Sequence, residues 1–437
     1  MLFRSDAAGA STITNQDYSL FAQDRWQIKP NFSLSYGLRW EAQIFPDVTV
    51  PPAQTAYGIF LNDPRFPSDG RLHSPKKEFQ PRVGFAWDIS KEGKSVLRAS
   101  YGIYYARQNM LSQVGSITTN GVQQQTIFVS SQLISFGVPA PTWPGLVTPG
   151  AGSCNTINNF GAAGPFNNPF PCFSGVRVFS RDYANPRIYT TNAQFEQQIS
   201  HDVSIFFDFT HSQGVHMTRF LNVNRKLNAA GFPIFGDYLG EVMVTSAVGK
   251  SLYNGFTVGM RKRFSKRYQF EWNYVWSKDH DDDSNERDPF TDRSFDINNL
   301  NFDYALSDRD IRHKFNFFLY SELPWGFEFT PRIQARSAQP ATPAIRTATN
   351  RNTLRKDNQY FSFDWRLARP FKFGDRYELT PTVEMFNTFN NNNFVNSLSG
   401  AGNQNSLTSP SLFNFDGFLR QGVGDPRQLQ LAVKFTF

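Results

Sequence analysis

The last ten residues constrain the chain most. From Gln428 to Phe437 it runs Q-L-Q-L-A-V-K-F-T-F, which places Leu429, Leu431, Val433, Phe435 and Phe437 on one face and Gln428, Gln430, Ala432, Lys434 and Thr436 on the other. Alternation this strict marks a β-strand with one apolar and one wet side. A soluble sandwich can supply such a strand. An outer-membrane barrel requires one, with its apolar face on lipid and its polar face on the lumen. Recurrence of the pattern along the chain separates the two.

The pattern recurs. Tyr18 to Glu41 reads as a hairpin turning at Lys29-Pro30-Asn31; its second strand sets Phe32, Leu34, Tyr36, Leu38 and Trp40 against Ser33, Ser35, Gly37, Arg39 and Glu41. An inward arginine and glutamate are costly in a soluble core and ordinary in a hydrated lumen. Further hairpins are expected at 81–107, 189–210, 253–278, 314–336 and 361–386. Between them lie long polar stretches at about 43–78, 108–186, 212–250, 279–310 and 387–427. Short turns alternating with long loops are what an outer-membrane barrel shows, with the turns periplasmic and the loops external. Trp26, Trp325 and Trp365 fall near strand ends, and Trp40 and Trp276 fit the opposite rim, as aromatic girdles would place them.

Composition agrees. The chain carries 45 Phe, 16 Tyr and 8 Trp, yet its mean hydropathy is −0.45. Alternating strands reconcile the two, since each lipid-facing ring has a polar lumen neighbour. No run of 18 apolar residues exists, so no transmembrane helix is expected. The net charge of +7 is scattered through turns and inward positions rather than clustered, which argues against nucleic acid. Cys154 and Cys172 share a Gly/Pro/Asn-rich stretch, compatible with an oxidised loop staple outside the cytoplasm and with two unrelated thiols. Met1 to Asp6 shows no charged segment followed by an apolar one, so no signal peptide is read there. An outer-membrane protein needs one, and the expectation is an incomplete chain. The strand count is thirteen, an odd number that cannot close a bacterial single-chain barrel; the reading therefore expects strands missing before the first.

Several stretches resemble one family. Y-S-L-F-A-Q-D-R-W (18–26) with L-S-Y-G-L-R-W-E (34–41), P-R-V-G-F-A-W-D (81–88) with L-R-A-S-Y-G-I-Y-Y (97–105), and R-K-R-F-S-K-R (261–267) with N-Y-V-W-S-K (273–278) come in order. Y-A-L-S-D-R-D-I-R-H-K-F (304–315), E-M-F-N-T-F-N (384–390) and G-D-P-R-Q-L-Q-L (424–431) follow. Together they resemble the carboxy-terminal barrel of TonB-dependent outer-membrane receptors, specifically the Oar-like barrels of Acidobacteria. The resemblance implies an all-β antiparallel transmembrane barrel, here about thirteen of roughly 22 strands. It also implies a separate plug domain, an inner-membrane TonB energy complex, and a barrel-assembly machinery that reads the terminal strand with its final aromatic, Phe437. Lipid of the outer membrane surrounds such a barrel. The function implied is energised uptake once plug and barrel are complete. A passive porin or adhesin-like barrel and a soluble secreted β module are the alternatives.

Few residues suggest chemistry. Asp279, Asp281 and Asp283 mimic the opening of a calcium loop, but Ser284 stands where glycine is required and Phe290 where a bidentate glutamate belongs. A solvated acidic external loop is the plainer reading, and the three aspartates stay a candidate calcium loop of another kind. His201, His211 and His216 follow no zinc spacing. No nucleophile elbow and no phosphate-cradling loop is present, so no enzyme and no cofactor are expected. The inward charges Arg39, Glu41, Arg98, Asp208, Glu271, Glu328, Arg332, Asp364, Arg366, Glu378 and Glu384 read as a polar lumen wall, made of ion pairs and plug contacts or lining a substrate path.

Overall fold

The computed structural model describes residues 2–4, 12–126, 175–235, 239–284, 291–343, 345–355, 359–374, 376–393 and 426–437. Among these residues, sixteen strands share one sheet. Three are short, and thirteen are long and lie side by side in sequence order: β1 (Gln16–Lys29), β2 (Phe32–Ile44), β3 (Glu78–Asp88), β4 (Ser95–Tyr105), β5 (Arg187–Gln198), β6 (Val203–Asn222), β7 (Val242–Ser265), β8 (Tyr268–Asp281), β9 (His313–Glu322), β10 (Glu328–Arg336), β11 (Tyr360–Ala368), β12 (Tyr377–Phe386) and β13 (Gln428–Thr436). Every adjacent long pair is antiparallel. These are the six hairpins and the terminal strand expected from the alternation. Of the short strands, Val176–Phe179 runs parallel to the start of β7, Ala305–Leu306 pairs with β8, and Phe371–Phe373 continues the line of β11 along β12.

Register carries each face across the sheet, because side chains alternate strictly along every strand. Met260, Trp272, Phe317, Ile333 and Phe363 oppose one another in succession from β7 to β11. The adjacent row, on the other face, is Arg261, Glu271, Phe318, Arg332 and Asp364. One face is thus apolar and exposed, as with Leu431 at 72% and Trp276 at 52%. The other is lined by charges. Water cannot satisfy the first and a packed protein core cannot satisfy the second; lipid outside and a hydrated lumen inside satisfy both.

The hairpin between β7 and β8 turns in two residues, with Ser265 opposite Tyr268. Lys266 and Arg267 both take left-handed backbone, at φ 50° and 72°. This is the primed turn that suits the twist of a hairpin, and it normally recruits Asn and Gly. Trp325 and Gly326, at φ 61° and 77°, shape the β9–β10 turn in a similar way.

Buried apolar residues gather at the long-loop end rather than inside the sheet. Tyr57, Phe66, Val176, Val178, Phe235, Leu239, Val242 and Val244 form one cluster. Phe66 stacks on Tyr57 at 5.7 Å and meets Phe235 edge-on at 5.4 Å. Much of 212–250 proves to be paired strand, since β6 runs on to Asn222 and β7 begins at Val242. Above the lipid band the backbone ladder can continue without a strict two-residue pattern, so periodicity does not register it. The stretch 108–126 contributes a helix, Met110–Thr118, capped by Asn109, whose Oδ1 accepts from the Ser112 amide at 2.9 Å. No helix among the described residues is long and apolar enough to cross a membrane. Among the described residues the sheet edges are β1 and β13, which do not pair with each other, so the sheet is open there.

Candidate functional site

The sequence-assigned wall residues share the polar face. Arg39 Nε donates to Glu41 Oε1 at 2.8 Å, and Gln80 Nε2 donates to Glu41 Oε2 at 2.7 Å. Arg98 reaches Glu196 at 3.3 Å, Arg261 pairs with Glu271 at 2.9 Å, and Arg366 stands 3.8 Å from Glu384. Arg332 opposes Asp364 in register, and Asp364 Oδ1 accepts from the Asn387 amide at 2.9 Å. A groove of about 510 Å³ runs over this face between β1 and β6, lined by Arg25, Ser35, Arg98, Asn192, Gln194 and Asp208. A larger one of about 790 Å³ adjoins it around Arg25, Arg39, Gln80, Arg82 and Tyr104, with glycine at Gly37 and Gly84. Arg82 lies over the Tyr104 ring at 4.5 Å. The wall is paired within itself yet open to an occupant.

The terminal strand sits as its alternation requires. Leu429, Leu431, Val433 and Phe435 oppose Met385, Val383, Pro381 and Leu379 on the apolar face. Phe435 stacks on Tyr377 at 6.0 Å and on Phe437 at 5.9 Å. All of β13 is exposed.

The acidic run at 279–283 has a role that spacing did not reveal. Asp281 Oδ1 accepts from Arg351 Nη2 at 2.7 Å, Asp283 lies 3.4 Å from Arg293, and Asp282 lies 3.7 Å from Arg219. The amide of Asp279 donates to Asp310 Oδ1 at 2.7 Å. Asp303 is held between Arg219 at 2.8 Å and Arg346 at 2.6 Å, and Asp310 by Arg312 and Arg355. Arginine guanidinium groups answer Asp281, Asp282 and Asp283. Among the described residues no group of three or more ligating side chains could hold a metal ion. Burial pushes the Asp308 carboxyl up, against the pull of Arg351. Burial also works against the Arg351 charge, but Asp281 and Asp308 outweigh it and hold its pKa above the ordinary value. Arg351 further donates to the carbonyls of Asp281 and Asp303, both at 2.7 Å, and so ties the loop after β10 to the loop after β8. Nothing local in the sequence marks Asp308, Asp310, Arg219 or Arg351 for this role, since partners 70 or so residues apart leave no local signal. Cys154 and Cys172 lie outside the described residues.

Comparison with known proteins agrees with this geometry. The family described as Outer membrane beta barrel domain matches residues 4–331. The chain belongs to that family, and its place is the outer membrane. Solved structures share the fold. The outer membrane transporter YddB from Escherichia coli superposes with a TM-score of 0.58 at 12% identity, over 97% of this chain and 45% of that one. The FrpB iron transporter from Neisseria meningitidis gives 0.54 at 12%, over 98% and 47%. The ferripyoverdine receptor of Pseudomonas aeruginosa gives 0.52 at 11%, over 98% and 40%. The chain thus spans less than half the length of these structures. No curated protein matches the sequence.

Proposed function

We propose that this chain is the carboxy-terminal barrel portion of a TonB-dependent receptor that takes up a substrate with energy from the inner membrane. The observation that carries the reading is the charged face of the thirteen-strand sheet, which is neither a packed core nor free of structure: it is a paired wall with grooves. A plug domain would lie against that wall, as the alternating row from Arg261 to Asp364 can accept polar surface of either sign. Strands from outside residues 1–437 would cover the edges at β1 and β13, because open ladders are not tolerated in lipid. The chain supplies no reaction chemistry of its own in this reading. The barrel-assembly machinery would recognise β13 and Phe437.

Planar-bilayer recording of the whole protein tests it. A plugged receptor should show negligible steady conductance, rising when urea loosens the plug. Steady conductance without denaturant would favour a passive pore instead, and release of the protein by carbonate would favour a soluble module.

A further inference from the structure

The apolar face holds a groove that the proposed transport function does not use. It measures about 570 Å³ and opens at the short-turn end of β8 and β9, walled by Tyr268, Phe270, Phe317 and Leu319. The four side chains share the apolar face because Phe270 opposes Leu319, Trp272 opposes Phe317 and Tyr268 opposes Ser321. At the mouth stand Lys266 and Arg267. Arg267 meets Glu322 at 3.9 Å, while Lys266 makes no ion pair among the described residues. The mouth therefore keeps net positive charge. Lys262 is not part of it: its ammonium donates to the carbonyls of Ser265 at 2.9 Å and Tyr268 at 3.1 Å and sits 4.0 Å from the Tyr268 ring. That contact fixes the ring forming one wall.

We infer that this groove binds one anionic phospholipid of the periplasmic leaflet, its acyl chain against the four aromatic and aliphatic walls and its phosphate on Lys266 and Arg267. Three observations carry it. The groove is continuous with the face that lipid covers, so an acyl chain reaches it without leaving the bilayer. Its charge is complementary to a phosphate and stands at headgroup depth, where the neighbouring Trp325, 83% exposed, marks the interface. Lastly, the turn that holds the cations is an unfavourable choice of residues: φ of 50° and 72° suits Asn-Gly, yet both positions carry long basic side chains. Backbone strain of this kind is kept where the side chains have a task. The inference rests on the outer-membrane location of the chain.

Native mass spectrometry of the protein extracted from membranes tests it, in micelles carrying equal phosphatidylglycerol and phosphatidylcholine. The wild type should retain one phosphatidylglycerol per chain, preferred about tenfold over phosphatidylcholine. The K266N/R267G variant has the residues this turn favours, so it should fold at least as well, and it should lose the preference. Equal retention of the two lipids by the wild type, or an unchanged preference in the variant, overturns the inference. So does a lipid-free dimer that the variant abolishes, which would give the groove to a second copy of the chain. Carbonate extraction of both proteins is run alongside; release into the soluble fraction would instead overturn the membrane location beneath the inference.

Discussion

Replacing Arg351 with methionine tests whether the long loops are one unit. The Arg351 side chain is 8% exposed and makes four donations: to the Asp281 and Asp303 carbonyls, to Asp281 Oδ1 and to the Ser284 hydroxyl, all at 2.7 to 2.8 Å. Methionine keeps much of the stem volume but leaves the Asp281 and half-buried Asp308 carboxylates without their cation. Removing one partner of a buried pair costs about 3–5 kcal/mol. Hydrogen exchange should then show amide protection in 299–311 and 339–355 falling roughly 150- to 5,000-fold, while protection along β1 to β4 stays as it was. Adding Asp281→Asn should restore part of the loss, with a coupling of about 1–3 kcal/mol, since it removes the stranded charge. Unchanged protection in both loops would refute the idea that Arg351 joins them. So would a loss spread evenly over the sheet, because the cluster would then be holding the barrel rather than its loops.

Two further outcomes separate the faces and the loop core. Leu431→Arg, on the lipid face at mid-strand, should cost about 2–4 kcal/mol of folding in lipid vesicles, whereas Gln430→Arg on the facing row meets Glu384 and should cost little; equal losses would count against the assignment of faces. Burial pushes the Glu241 carboxyl up from 4.5 to about 7, with Arg177 only partly opposing and Asp292 adding to it. The folded state thus holds this proton more tightly than the unfolded one, so the contribution to stability is full below pH 4.5 and is lost as pH rises through 7. The loop core should be weaker at pH 8 than at pH 4.5 by on the order of 3 kcal/mol, and Glu241→Gln should flatten that dependence in exchange measurements; an unaltered slope would contradict it.

What the sequence determined by itself is the wall. Strands that must lie between oil and water repeat their demand every second residue, so the face of Phe435 or Arg366 is written in its neighbours, and the six hairpins and the terminal strand follow without tertiary information. The same local rule explains the polar row. Everything above the lipid band is different. Around Asp281 the local sequence shows only the carboxylates at 279 and 283; its partner, Arg351, is 70 residues away. Tyr57, Val178 and Phe235 form a core from three stretches that share no period. The groove beside Lys266 exists because the register of β8 against β9 sets four side chains around it. Such contacts are chosen by chain closure in three dimensions, where distance along the sequence carries no information, and so the tertiary structure alone decided them.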